Sequence, residues 1–236
     1  MENRIKRTKF NIGILGSSRV GKTNLINADL NGVFIEDSLE TYGIDTYDTK
    51  IIINGDNYRL KIFDTAGQER FHSISASIIK RCQIIIIVYD ITNRKSFEES
   101  INWFHVIEEN VGNRCIIGII GNKIDLYDKK EVSEEEATEF AKSKNIPLFL
   151  TSAKTNPTNF GILINNLTEE YLRRNPEEER RSISLEIEEN NKKRRKKGCC
   201  MGEIYYPFEE RFKARVFPWY APMFEFKERK KDSLIK

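Results

Sequence analysis

Only four of the 236 residues are cysteine, and they are not placed as a disulfide framework: Cys82 and Cys115 stand beside isoleucine-rich runs, while Cys199 and Cys200 are adjacent and outside any apolar pattern. A reduced, cytosolic setting is therefore expected. Long apolar runs are also missing. The longest, Ile84 to Tyr89, is about a third of the roughly 20 residues a membrane-spanning helix needs, and the charged Met1 to Phe10 has no apolar stretch behind it. Neither a transmembrane helix nor a signal peptide is expected. Nor is there a large excess of one charge: 39 Lys and Arg face 36 Asp and Glu. Residues 1–175 carry 23 basic and 24 acidic groups, so the small basic excess sits in the tail. With 39% apolar and 32% charged residues the chain can bury a core, which excludes collagen-like and wholly disordered classes and fits one domain of ordinary size plus tails. No internal repeat is visible.

The apolar pattern predicts an alternation of strands and helices. Lys9 to Gly16 reads as a strand, and Gly21 to Leu30 as a helix behind a glycine loop. Ile44 to Asn54 and Tyr58 to Asp64 flank Asn54-Gly55-Asp56, a hairpin turn signal, so these two strands should run antiparallel. Ile84 to Tyr89 and Cys115 to Gly121 are continuous apolar strands of the kind buried on both faces, and Pro147 to Leu150 is a short one. Between them lie helical stretches at Gln68 to Arg81, Ser96 to Glu109, Ser133 to Ser143 and Asn159 to Arg173, with a capping-box spacing at Ser133 and Glu136. The expected fold is α/β, a doubly wound, mostly parallel six-stranded sheet with one antiparallel strand, binding ligands at the carboxyl ends of its strands. Residues 1–8 are expected to be a flexible N-terminus, 9–175 the domain, 176–200 a flexible tail, and 201–236 an extension of different composition. Nine of the last 36 residues are aromatic against sixteen of the first 200, and all twenty asparagines precede Met201.

Three loops at predicted strand ends carry the chemistry. Gly16-Ser17-Ser18-Arg19-Val20-Gly21-Lys22-Thr23 fits a phosphate-binding loop, in which backbone N–H groups close on phosphates, Lys22 reaches the outer phosphates and Thr23 binds magnesium. The plain alternative is a glycine-rich turn with an incidental lysine. Asp64-Thr-Ala-Gly67-Gln68-Glu-Arg-Phe71 follows a strand, placing Asp64 to hold magnesium through water, Gly67 to offer its N–H to a γ-phosphate and Gln68 to orient an attacking water. Asn122-Lys123-Ile-Asp125 follows another strand; a carboxylate there can accept the two hydrogens that guanine, unlike adenine, offers, while the Lys123 stem covers a base face. Taken alone it would be a surface loop. Ser152-Ala153-Lys154 would donate the N–H of Ala153 to the guanine oxygen.

With these motifs in this order, the chain resembles the Ras-like small GTPases and, within them, the Rab family of membrane-traffic regulators, over Lys9 to about Arg174. The closest stretches are Lys61-Ile-Phe-Asp-Thr-Ala-Gly-Gln-Glu-Arg-Phe71, Val88-Tyr-Asp-Ile-Thr92 and Gly121-Asn-Lys-Ile-Asp-Leu126. The resemblance implies the P-loop small GTPase fold, binding of GTP and GDP with Mg²⁺, and slow hydrolysis of GTP with Gln68 and Lys22 as catalytic residues. It places Thr41, in Thr41-Tyr-Gly-Ile-Asp45, beside Thr23 and Asp64 as a metal residue, and adds Asn24 to the nucleotide site. Lys192-Lys-Arg-Arg-Lys-Lys-Gly-Cys-Cys200 resembles a Rab tail, in which paired cysteines, here Cys199 and Cys200, carry geranylgeranyl chains beside a polybasic stretch. A solvated charge run or a nuclear-localisation or nucleic-acid patch is the alternative; no aromatic interleaving supports nucleic acid, and no nucleic-acid partner is expected. Implied partners are an exchange factor, a GTPase-activating protein, a GDP-dissociation inhibitor and Rab effectors, met by a monomer at the cytoplasmic face of an endomembrane and cycling with the cytosol.

Rival branches fit less well. The 26 residues between Asp125 and Ser152 leave no room for a Rho-type extra helix, residue 2 is Glu2 and not the glycine of Arf-like proteins, and a Ran-like acidic terminus is missing. There are departures from the Rab pattern as well. Arg19 stands where a small residue is usual. Asp29 and Leu30 stand near the place of an aromatic over the guanine edge, which implies weaker base stacking. Thr46, Phe63 and Ile78 replace an aromatic trio, and Ile78-Ile-Lys-Arg-Cys82 departs from a Tyr-rich stretch. Met201 to Lys236 follow the cysteines, either as an extension that docks on a partner or membrane or as read-through sequence. A guanine-nucleotide-binding interaction module that hydrolyses little is the second functional reading, and a cytosolic GTPase using the extension in place of a lipid anchor is the third.

Overall fold

The computed structural model describes residues 5–36, 38–67 and 77–177. Gln68, most of the expected Gln68 to Arg81 helix, the polybasic tail with Cys199 and Cys200, and the extension lie outside the described residues. In chain order the elements are β1 (Ile5–Leu15), α1 (Lys22–Asn31), β2 (Ile44–Ile53), β3 (Asp56–Thr65), β4 (Ile84–Asp90), α2 (Arg94–Val111), β5 (Ile116–Asn122), α3 (Glu134–Ser143), β6 (Leu148–Leu150) and α4 (Asn159–Arg174). The sheet order is β2-β3-β1-β4-β5-β6. Only β2 runs antiparallel, against β3; the β1–β3, β1–β4, β4–β5 and β5–β6 pairs are parallel. This is the expected doubly wound sheet.

The alternation within strands sorts two cores onto the two faces. On β4, Ile84, Ile86 and Val88 face a cluster with Phe10, Leu25, Leu163 and Leu167 under α1 and α4. Their neighbours Ile85, Ile87 and Tyr89 face Phe97, Phe104 and Ile107 of α2 and Ala137 of α3. A strand buried on both faces has to be apolar at every position, which is why β4 reads as an unbroken run. β1 reaches back to Ile5, ahead of the apolar run at Lys9, because Ile5 pairs with Asn57 across a register shift. α2 starts at Arg94, not Ser96, because Asn93 is the cap whose side chain accepts from the Ser96 N–H. Ser133 caps α3 by accepting from the Glu136 N–H, as the capping-box spacing predicts. The β2–β3 turn holds Asn54 and Gly55 at φ 52° and 84°, the left-handed pair that a two-residue hairpin requires.

Candidate nucleotide site

The carboxyl ends of β1, β3, β4 and β5 converge on one rim, and the sequence motifs stand there. The glycine loop joins β1 to α1 as expected. A side chain at Gly16 would collide with the Val88 carbonyl of β4, so the loop turns against the sheet only because residue 16 has none. α1 has no side-chain cap and no acidic residue in its first turn, unlike α3 with its serine cap and three glutamates. Its first N–H groups are therefore left without a side-chain acceptor, the arrangement that suits an anion.

Lys22 is nearly buried and folds back on the loop, its Nζ donating to the carbonyls of Gly16 at 2.9 Å and Ser17 at 2.7 Å. Burial lowers its pKa from 10.5 to about 8, opposed by the Asp64 carboxylate; a phosphate at this place would raise it again. The Thr23 hydroxyl donates to Asp64 Oδ2 at 2.6 Å and lies 3.0 Å from the Thr41 hydroxyl. Three oxygen-bearing residues from separate parts of the chain, two expected from motifs and Thr41 from the resemblance, thus meet at one point. Burial raises the Asp64 pKa, against the Thr23 hydrogen bond and Lys22, and its Oδ1 is buried without a partner. An orphaned hard oxygen beside two hydroxyls fits Mg²⁺. One carboxylate and two hydroxyls cannot complete an octahedron, so phosphate oxygens and water would have to supply the rest. Gly67 packs on the Ser17–Ser18 peptide so closely that a Cβ there would overlap it.

The base-side motifs form a second cluster. Asn122 donates from Nδ2 to the Val20 carbonyl at 2.8 Å and accepts from the Ala153 N–H at 3.1 Å. Lys123, at φ 67°, donates to the Arg19 carbonyl at 2.8 Å and pairs with Asp90 at 2.7 Å. Asp125 is exposed in the first turn of a 3₁₀ segment, Ile124–Lys129. Ser152 is buried and accepts from the N–H groups of Lys154 and Thr155, shaping the turn that presents Ala153. Lys154 pairs with Glu36 at 3.0 Å, and that hydrogen bond and charge, followed by Asp125 at longer range, raise its pKa.

Some expectations need correction, and some residues were missed. The aromatic beside the base loops is Phe34, whose ring lies 5.8 Å from Lys154 Nζ; Asp29 and Leu30 do not stand in its place. The Asp29 carboxylate accepts from the Gly161 N–H instead. The side chain of Asn24 exchanges two hydrogen bonds with the backbone of Ile35, which leaves its backbone N–H, in the first turn of α1, as the group it could offer a nucleotide. Ser17 donates its hydroxyl to Glu99 of α2. Of the substituted trio, Thr46 and Phe63 are register partners and Ile78 is buried in the second core. Asp90 was overlooked although a carboxylate ending an apolar strand is itself a signal.

The sheet order and the glycine loop between β1 and α1 define the P-loop small GTPase fold. The Ras family profile matches residues 11–172. Ras-related protein Rab-30 of Homo sapiens, of Bos taurus and of Mus musculus is in each case 39% identical over 145 residues, covering 61% of this chain and 71% of the relative. The chain belongs to the Ras family, as a Rab-like small GTPase.

Proposed function

We propose that the chain is a guanine-nucleotide switch that hydrolyses GTP slowly and regulates membrane traffic. The observation that carries this reading is the meeting of Thr23, Thr41 and the unpartnered Asp64 oxygen beside Lys22. Lys22 and the α1 N-terminus bind the phosphates, Gly67 senses the outermost one, and Gln68 orients the water that attacks it. Mg²⁺, when bound by Thr23, Thr41 and Asp64, neutralises phosphate charge. The β5 and β6 loops select guanine through Asp125 and the Ala153 N–H, with Phe34 and the Lys123 stem flanking the base. Thr41 and Gly67 are both held inward when the outer phosphate is present and are released on its loss, a difference partners read.

The intrinsic rate of such a site is about 10⁻⁴ to 10⁻³ per second, so an activating protein and an exchange factor are required partners, together with effectors and a GDP-dissociation inhibitor. We also assign geranylgeranylation to Cys199 and Cys200, with the basic run from Lys192 to Lys197 as second anchor at the cytoplasmic face of an endomembrane. Single-turnover phosphate release tests the switch: the wild-type chain should exceed Gln68→Leu at least tenfold in the presence of an activator. Equal rates would favour the non-hydrolysing interaction module. Intact-mass spectrometry of the protein from its own cells tests the anchor.

A further inference from the structure

Arg19 occupies the left-handed region at φ 62°, where glycine costs least and a long side chain is strained. Its carbonyl is gripped from the base side by Lys123 Nζ at 2.8 Å. Its guanidinium reaches the other way, to Glu40 at 3.0 Å, and Glu40 is the residue next to Thr41. Backbone and side chain of one residue thus join the base loop to the loop that carries the third metal-site oxygen.

We propose that Arg19 is a positioning residue for Thr41: anchored by Lys123, it holds Glu40 and so keeps the Thr41 hydroxyl beside Thr23 and Asp64. The inference rests on the nucleotide-switch reading and adds a component to it. From this left-handed position the Arg19 side chain meets the Glu40 carboxylate while its own carbonyl stays bonded to Lys123. Among the described residues the same segment is also tied by Asn24 to the Ile35 backbone and by Lys154 to Glu36, both before Thr41 in the chain, and by the Ala66 N–H to the Gly43 carbonyl beyond it. The Arg19–Glu40 pair acts at the residue next to Thr41. Its partners are 82% and 31% exposed, so its effect is modest and screened by salt.

The test uses the full chain loaded with Mg²⁺ and a fluorescent, non-hydrolysable GTP analogue, following release after excess unlabelled nucleotide. Arg19→Ala and Glu40→Gln should each speed release about two- to fivefold at low salt, with the double variant no faster than either single. Arg19→Lys should stay within about twofold of the wild type, and about 1 M salt should bring the wild type and these four variants to a common rate. Single-turnover hydrolysis of GTP should fall in step with the faster release. Arg19→Gly separates positioning from folding: it relieves the left-handed strain, so its melting temperature should hold or rise while its release is as fast as that of Arg19→Ala. Single variants that release at the wild-type rate, or a double variant whose effect is the product of the singles, would overturn the proposal. A wild-type chain that retains no guanine nucleotide would instead bring down the switch reading itself, and the proposal with it.

Discussion

Asn122 accepts a hydrogen bond from the backbone N–H of Ala153 while donating to the carbonyl of Val20, so one buried amide ties the β6 loop and the phosphate loop to the end of β5. Gly21 makes room for it: a side chain there would fall on the amide nitrogen. The glycine loop and the loop after β6 are thus mechanically one unit, because both are bonded to the same side chain.

Asn122→Ala should therefore act at both ends. It strands the Val20 carbonyl and the Ala153 N–H in a buried place, at a cost of about 2 to 4 kcal/mol. Denaturant unfolding at fixed nucleotide concentration should show that loss, and nucleotide release should be accelerated far more than by Arg19→Ala. A variant with normal stability would mean that the two loops are held by their own turns.

The sequence made the sheet legible because strands buried on both faces leave unbroken apolar runs, as in Ile84 to Tyr89, and because Asn54-Gly55 can form only a tight hairpin. Thr23 and Asp64 were expected together from their motifs and Thr41 from the family resemblance, and nothing in the spacing of Thr41 from Thr23 shows that the two hydroxyls meet. The loop after α1 was not legible: it has no period, so the expected aromatic place was put at Asp29 and Leu30, inside the helix, while Phe34 lies beyond its Gly32 cap. Pairings such as Arg19 with Glu40 and Ser17 with Glu99 join distant loops and helices, and composition carries no trace of them.

Gly67→Ala should separate binding from hydrolysis. The added methyl would meet the Ser17–Ser18 backbone, which has no flexible end to yield, so the segment after β3 must lift from the phosphate loop. Nucleotide should stay bound, because Lys22 and the Asn122 tie between the loops are untouched, while phosphate release in a single turnover should fall about a hundredfold, the usual loss on removing one transition-state donor. Unchanged hydrolysis would show that the close packing of Gly67 has no part in the reaction.

The Ser17 hydroxyl bonded to Glu99 tethers the phosphate loop to α2, and Lys95 stands 3.8 Å from the same carboxylate. Glu99 is one-third exposed, so Glu99→Ala and Ser17→Ala should each cost about 1 kcal/mol. A double-mutant cycle in denaturant should return a coupling of about the same size. Additive losses would mean that the contact contributes nothing beyond its separate residues.

The last expectation concerns alkaline stability. Cys82 and Cys115 are buried beside the second core; burial, with Cys115 adding to it, pushes the Cys82 thiol up to about 12, and burial pushes Cys115 up to about 11 against the pull of its own backbone and Arg114. Burial also raises the Tyr89 phenol, helped by Glu134 and Glu136. In the unfolded chain a thiol gives up its proton near pH 9, while the folded chain keeps it. The unfolded state therefore binds fewer protons above pH 9, and the stability fully present below that pH is lost as it rises through about 11 and 12. The slope is at most about 1.4 kcal/mol per pH unit for each thiol. Replacing both by alanine should lower stability at pH 8 through lost packing yet flatten the decline above pH 9. In the native protein at pH 8, iodoacetamide should leave both unmodified in peptide maps. Labelling at the rate of a free thiol would show that the ends of β4 and β5 open to solvent, and the alkaline profile would then have to come from other groups.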